Sequence, residues 1–251
     1  MTDTNTQTSQ LRHLEEFREL ITNYAPGAES LELFTSVPLV ILVGPTAAGR
    51  NTLIGLLTQT GRYTMIVSDT TRQKRSNNGV LERDGREYWF KTEEQVLEAI
   101  RCGEYIEAAI IHNQQVSGAH INEFMRAKRA GLTAIKEIEP GGAELYHRYN
   151  PQLLAIFLLP PDFATWMQRL HGRGDMGAEE LVRRLKSAEQ EILAALDSDY
   201  YQFVINNEIH EAAEAVDALA GGRAPDVTKQ QRGIDHAGRL LVSIREYLAH
   251  H

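Results

Sequence analysis

The amino-acid sequence predicts an α/β fold of three layers, a mainly parallel sheet with helices on both faces. Three observations carry this reading. From Pro38 to about residue 220, short β-branched and leucine-rich runs alternate with helical stretches, the pattern of β–α–β units. The first of those runs, LVILV, ends directly in a glycine loop that opens a helix. The chain has 251 residues, 42% hydrophobic and 24% charged. That is the balance of a globular protein able to bury roughly 70% of its unfolded surface.

In order along the chain, residues 1–9 are mostly Thr, Gln, Asn and Ser without periodicity and are expected to be disordered. Leu11, Leu14, Phe17, Leu20 and Ile21 recur at helical spacing and predict an amphipathic helix of about four turns. The runs LVILV, YTMIV, YIEAAII, LTAIKEIE, LLAIFLL and QFVIN read as strands. Asn51–Thr58, Glu93–Arg101, Ala119–Ala130, Pro161–Leu170, Ala178–Leu196 and Ile209–Leu219 read as helices between them. Gly221, Gly222 and Pro225 mark a linker, and Leu240, Leu241, Ile244, Tyr247 and Leu248 a last amphipathic helix. The expected organisation is a tail and helix over 1–36, a core domain over 37–220, and a linker with a C-terminal helix over 221–251. The terminal apolar stripes fit either packing onto the core or a partner interface, such as a homodimer through the terminal helices.

Several function classes are disfavoured. With 26 basic and 34 acidic residues the formal net charge is −8, which argues against broad nucleic-acid or anionic-membrane binding. No apolar run approaches the ~20 residues of a membrane span, and the polar start lacks the features of a signal peptide. Cys102 is the single cysteine, so a disulfide framework is excluded and a cytoplasmic location is expected. The histidines show no metal-binding spacing, no GxSxG surrounds a nucleophile, and Leu181–Ile192 reads as a solvated amphipathic face.

The chemistry begins at GPTAAGRN: Gly44, Pro45, Thr46, Ala47, Ala48, Gly49, Arg50 and Asn51, followed by Thr52. Two glycines five residues apart, between a buried strand and a helix, let successive backbone N–H groups point inward. Those donors and the positive helix end form a phosphate cradle. A working loop of this kind ends in Lys and then Ser or Thr, which reach the β/γ phosphates and Mg²⁺. Arg50 keeps the charge but is longer and planar. Asn51 offers an amide oxygen where the hydroxyl would ligate the metal.

Further on, VSDTTRQKR (67–75) and ERDGREYWF (82–90) give the pattern TTRxxR then ExDGxxYxF close behind a phosphate loop. With GEYIEAA (103–109), IFLLPP (156–161), RLHGRGD (169–175), Arg184 and FVINNE (203–208), this ordered set resembles the guanylate kinase family over residues 38–219. The resemblance implies a phosphate-loop kinase fold with a small β-rich nucleoside-monophosphate subdomain near 70–115 and a lid near 171–177. It implies ATP and GMP as ligands and Mg²⁺ as cofactor. It assigns the acceptor phosphate to Arg72, Arg75 and Tyr88, supported by Glu82, and guanine to Glu107 and Ser68. A carboxylate fits guanine because N1–H and N2–H₂ form a donor pair that adenine lacks. It also implies Arg169, Arg173 and Arg184 on the transferring phosphoryl, Asn206 beside the adenine, and Glu139 at the acceptor.

The pattern departs from the family at both substrate sites. Gln115-Val116-Ser117-Gly118 stands where Tyr-Gly-Ser or Tyr-Gly-Thr is usual, Glu137-Ile138-Glu139 replaces Asp-x-Asp, and SNNGVL lengthens the loop after Arg75. The leading expectation is ATP-dependent phosphorylation of GMP, weakened by Arg50 and Asn51. The alternatives are a binding module that has lost turnover and a same-fold kinase with another phosphorylated acceptor.

Overall fold

The computed structural model describes residues 10–77, 79–172 and 177–250. In chain order its elements are α1 (Leu14–Thr22), α2 (Ala28–Thr35), β1 (Leu39–Val43), α3 (Arg50–Gln59), β2 (Tyr63–Met65), β3 (Asp69–Thr70), β4 (Ser76–Asn77), β5 (Val80–Leu81), β6 (Trp89–Phe90), α4 (Glu93–Arg101), β7 (Tyr105–Ile111), β8 (Gln115–His120), α5 (Ile121–Ala130), β9 (Thr133–Glu137), α6 (Pro140–Tyr149), β10 (Leu154–Leu159), α7 (Phe163–His171), α8 (Ala178–Leu196), β11 (Tyr201–Ile205), α9 (Ile209–Ala220) and α10 (Val227–Ala249). They fall into two units. The first is the chain up to Val37 with Ile66–Gly131; the second is Pro38–Met65 with Leu132 onward.

The second unit is built on a five-stranded parallel sheet in the order β11-β10-β1-β9-β2. Every residue of β1 is buried, as a parallel strand covered on both faces requires, and its sequence is accordingly a continuous apolar run. Val40, Leu42, Ile135, Ile156 and Leu158 share one face and pack with Leu53, Ile54 and Leu57 of α3 and with Ala212 and Val216 of α9. Alternation turns Phe157 and Phe203 to the other face, where their ring centroids lie 5.6 Å apart. An open strand edge invites association, and α10 closes the one at β11. Gln230 accepts the Phe203 N–H at 2.9 Å and donates to the Tyr201 carbonyl at 2.8 Å.

The first unit holds a four-stranded sheet, β6-β3-β8-β7, and the β4–β5 hairpin. Leu11, Leu14 and Phe17 pack with Val96, Leu97, Ile100, Tyr105 and Val116. Phe34 of α2 meets Phe124 of α5 edge-on at 5.1 Å. At Gly118 on β8 an added Cβ would lie 2.4 Å from the Glu107 carbonyl oxygen, so only glycine fits this close strand pair.

Sequence periodicity and structure differ in several places. The short strands β3, β4, β5 and β6 and the strand β8 are not among the expected runs. Ala119, expected to open a helix, and His120 instead end β8. α1 has 9 residues rather than about four turns, starting where the Glu93 carboxylate accepts the backbone N–H groups of Arg12 and His13. α2 carries only a short apolar stripe and is not legible from spacing. α6 opens Pro-Gly-Gly, which reads as a turn. Proline at its first turn and the burial of Ala143 and Tyr146 make it a helix nonetheless. α10 begins at Val227, capped by Asp226, whereas its polar N-terminal half shows no stripe. The expected disorder at 1–9, and Arg173 with most of the 171–177 lid, lie outside the described residues. Among the described residues no helix is long and apolar enough to cross a membrane.

Because Phe17 is fully buried, Phe17→Ala should lower unfolding free energy by about 3–5 kcal/mol in urea titrations. Val242→Ala, at a position 56% exposed, should change it by less than about 0.5 kcal/mol.

Candidate functional site

The phosphate loop lies in the second unit, between β1 and α3. Its backbone turns through positive φ at Gly44 (141°), Ala47 (67°) and Gly49 (107°). An added Cβ at Gly49 would fall 2.3 Å from Asn206 Nδ2, and one at Gly44 2.3 Å from the Leu158 carbonyl oxygen. Two side chains hold the loop's carbonyls. Trp166 Nε1 donates to the Thr46 oxygen at 2.8 Å, and Asn206 Nδ2 to the Ala48 oxygen at 2.7 Å. Within the loop the Ala48 N–H donates to the Pro45 carbonyl at 3.0 Å. Ala47, Gly49, Thr52, Arg169 and Asn206 line a cleft of about 460 Å³. Asn51 and Thr52 are exposed on the first turn of α3.

Arg50 is turned inward. Its side chain is 10% exposed, its Nη2 pairs with Glu137 Oε1 at 3.0 Å, and its Nη1 is buried without a hydrogen-bond partner. Glu191 on α8 lies within range of its charge. Burial first, and then the Glu139 charge, push the Glu191 carboxyl up to about 7, with Arg50 opposing. Glu139 flanks the first turn of α6 in this same unit. Arg184 donates through Nε to Glu180 Oε1, one turn back on α8, at 2.7 Å.

The first unit gathers the other acceptor candidates, Ser68, Arg72, Arg75, Glu82, Tyr88 and Glu107. Glu82 is buried and grips Arg72 with both oxygens, at 2.5 and 2.8 Å. It also accepts the Arg75 backbone N–H at 2.8 Å. These bonds hold its carboxyl down to about 2. The Arg72 guanidinium carbon lies 4.8 Å from the Tyr88 ring centroid, within cation–π range. Arg72 is thereby fixed as a planar donor, while Arg75 is exposed. Glu107 is half-buried on β7 beside a register shift, and the Ala119 N–H orients its Oε2 at 2.8 Å. Ser117 Oγ donates to the Asp69 carbonyl at 2.9 Å, inside the sheet.

Two residues of these sites escaped the sequence reading. Trp166 reads as a core aromatic, and nothing in its spacing marks the indole N–H that holds the loop. Glu191 falls in the stretch read as a solvated face. Its signal is a carboxylate at helical spacing between Ala188 and Ala195, two small buried residues of α8.

The Glu82–Arg72 pair sets a pH dependence. A carboxyl held below its ordinary 4.5 contributes stability above that value and loses it as pH falls toward 2. Glu82→Gln should therefore lose about 3 kcal/mol at pH 7 by chemical denaturation, and the deficit should shrink steadily below pH 4.5.

Comparison with known proteins gives one consistent result. The guanylate kinase family model matches residues 36–220. The guanylate kinase of Corynebacterium glutamicum is 34% identical over 186 residues, covering 73% of this chain and 95% of that protein. That of Ralstonia nicotianae is 36% identical over 198 residues, covering 78% of this chain and 80% of that protein. The crystal structure of guanylate kinase from Anaplasma phagocytophilum aligns with a TM-score of 0.53 at 24% identity, covering 75% of this chain and 86% of that one. With the family model spanning residues 36–220 and relatives 34% and 36% identical over most of their own length, the chain belongs to the guanylate kinase family.

Proposed function

We propose that the protein transfers the γ-phosphoryl of ATP to GMP, giving ADP and GDP. The observation that carries the acceptor half is that the first unit bears both Glu107, on β7, and the arginine frame of Arg72, just past β3, and Glu82, just past β5. An arginine whose carboxylate partner and aromatic neighbour fix its plane binds a phosphate with little further loss of side-chain entropy. Glu107, oriented by a backbone N–H, supplies an acceptor for the guanine N1–H and N2–H₂ pair. The donor half rests on the phosphate loop, whose N–H groups would hold the β and γ phosphates.

The acceptor phosphate is itself the nucleophile, so no protein base is needed, and catalysis consists of positioning and charge stabilisation. Arg50 would neutralise the β/γ oxygens, and Arg169 would hold the transferring group from the cleft, joined by Arg173 and Arg184. The exposed amide oxygen of Asn51 suits a hard cation carried in on nucleotide phosphates. Bound there, Mg²⁺ would offset charge on the β and γ oxygens. Among the described residues no group of three or more His, Cys, Asp and Glu side chains is arranged to hold a metal, which suits an ion held chiefly by substrate.

A second reading is favoured by Arg50 itself. Docked on Glu137 and followed by Asn51 instead of a hydroxyl, it fits a chain that binds nucleotide with little or no turnover and serves a partner protein. One experiment separates the two readings: single-turnover ADP formation from ATP and Mg²⁺, with and without excess GMP. The kinase reading expects GMP-dependent ADP formation, cut on the order of 10²-fold or more by Glu107→Ala. AMP should be a far poorer acceptor. No turnover in the parent, with activity appearing in Arg50→Lys, overturns the kinase reading in favour of the binding module.

A further inference from the structure

Within the second unit the Arg50 guanidinium is paired with one carboxylate and lies within charge range of a second. Glu137 of β9 takes Nη2 at 3.0 Å. Glu191 of α8 feels the charges of both Arg50 and Glu139 at the start of α6, and its Oε1 accepts from Ser187 Oγ at 3.2 Å. Yet Arg50 Nη1 and Glu191 Oε2 are both buried and both without a hydrogen-bond partner. A buried donor or acceptor left without a hydrogen bond forfeits its hydration and gains nothing in return. Two such atoms of opposite charge in one neighbourhood make an arrangement poised to change.

We propose that Glu191 is a positioning residue for Arg50, competing as a carboxylate with nucleotide phosphate for the guanidinium and giving it up as a neutral acid. The proposal rests on the reading of the phosphate loop as the ATP site. Arginine at this position has the geometry for such competition. Its planar fork holds Glu137 with one nitrogen while the other is left buried and unbonded, whereas a lysine presents a single point charge. The charged groups acting on Glu191 are Glu139 from α6 and Arg50 from α3, the latter already bonded to Glu137 of β9. Burial and Glu139 bring the carboxyl to about 7, so both of its forms are populated near neutrality.

The test is Mg-ATP affinity by titration calorimetry on the full chain, from pH 6 to pH 8.5. The parent should lose about tenfold in affinity as pH rises through 7, relative to Glu191→Gln. In that variant the pH profile should follow the nucleotide's own titration alone. Glu139→Gln keeps Glu191 but removes the like charge beside it, so its midpoint should move to lower pH. This second variant decides the matter if Glu191→Gln does not fold. Identical profiles for the parent and Glu191→Gln, or an unmoved midpoint in Glu139→Gln, overturn the proposal. A parent that binds no ATP at any pH overturns the donor-site reading instead, and this assignment with it.

Discussion

A backbone loop that is to hold an anion must turn its N–H groups toward the ligand, and its carbonyls then need partners elsewhere. The second unit is organised around meeting that need. Trp166 from α7 and Asn206 from the end of β11 donate to the Thr46 and Ala48 carbonyls. Both donors are buried, so these bonds are not traded for bonds to water, and the loop is preformed. The parallel sheet sets their positions, because β1, β10 and β11 are adjacent and in register. Leu158 closes in on Gly44 from β10, and Asn206 on Gly49 from β11, which leaves no space for side chains at either glycine. The close approach that excludes a Cβ is the same approach that supports the loop.

Each unit contains an arginine paired with a glutamate, and the two pairs behave differently. In the first unit Glu82 spends both oxygens on Arg72 and accepts the Arg75 backbone N–H as well. That pair is saturated and rigid. In the second unit Arg50 has one nitrogen on Glu137 and another without a partner. A saturated pair keeps a donor plane fixed, whereas an unsaturated one leaves its arginine free to exchange partners.

Much of the fold was legible in the sequence because its signals are local. LVILV is apolar throughout because β1 is covered on both faces, and Glu93–Arg101 carries a complete capping box and a clean stripe. α6 was not legible because Pro140-Gly141-Gly142 obeys turn propensity until Ala143 and Tyr146 are buried. At the candidate site, the glycines and the TTRxxR arginines were visible as residue types at fixed spacing. The supports of Trp166 and Asn206 were not, since each reaches a loop more than a hundred residues away in the chain.

What the sequence determined by itself was therefore the α/β class, the strand–loop–helix that carries the glycines, and which charged residue types stand near it as candidates. These depend on periodicity and spacing over at most a few turns. The tertiary structure decided which charges are paired and which are left over. It gave Glu82 to Arg72 and the Arg75 backbone, bound Arg184 to Glu180, and paired Arg50 with Glu137 within charge range of Glu191. The physical reason is that a side chain's charge state and direction follow from its burial and neighbours, and those neighbours come from strands and helices far apart in the chain.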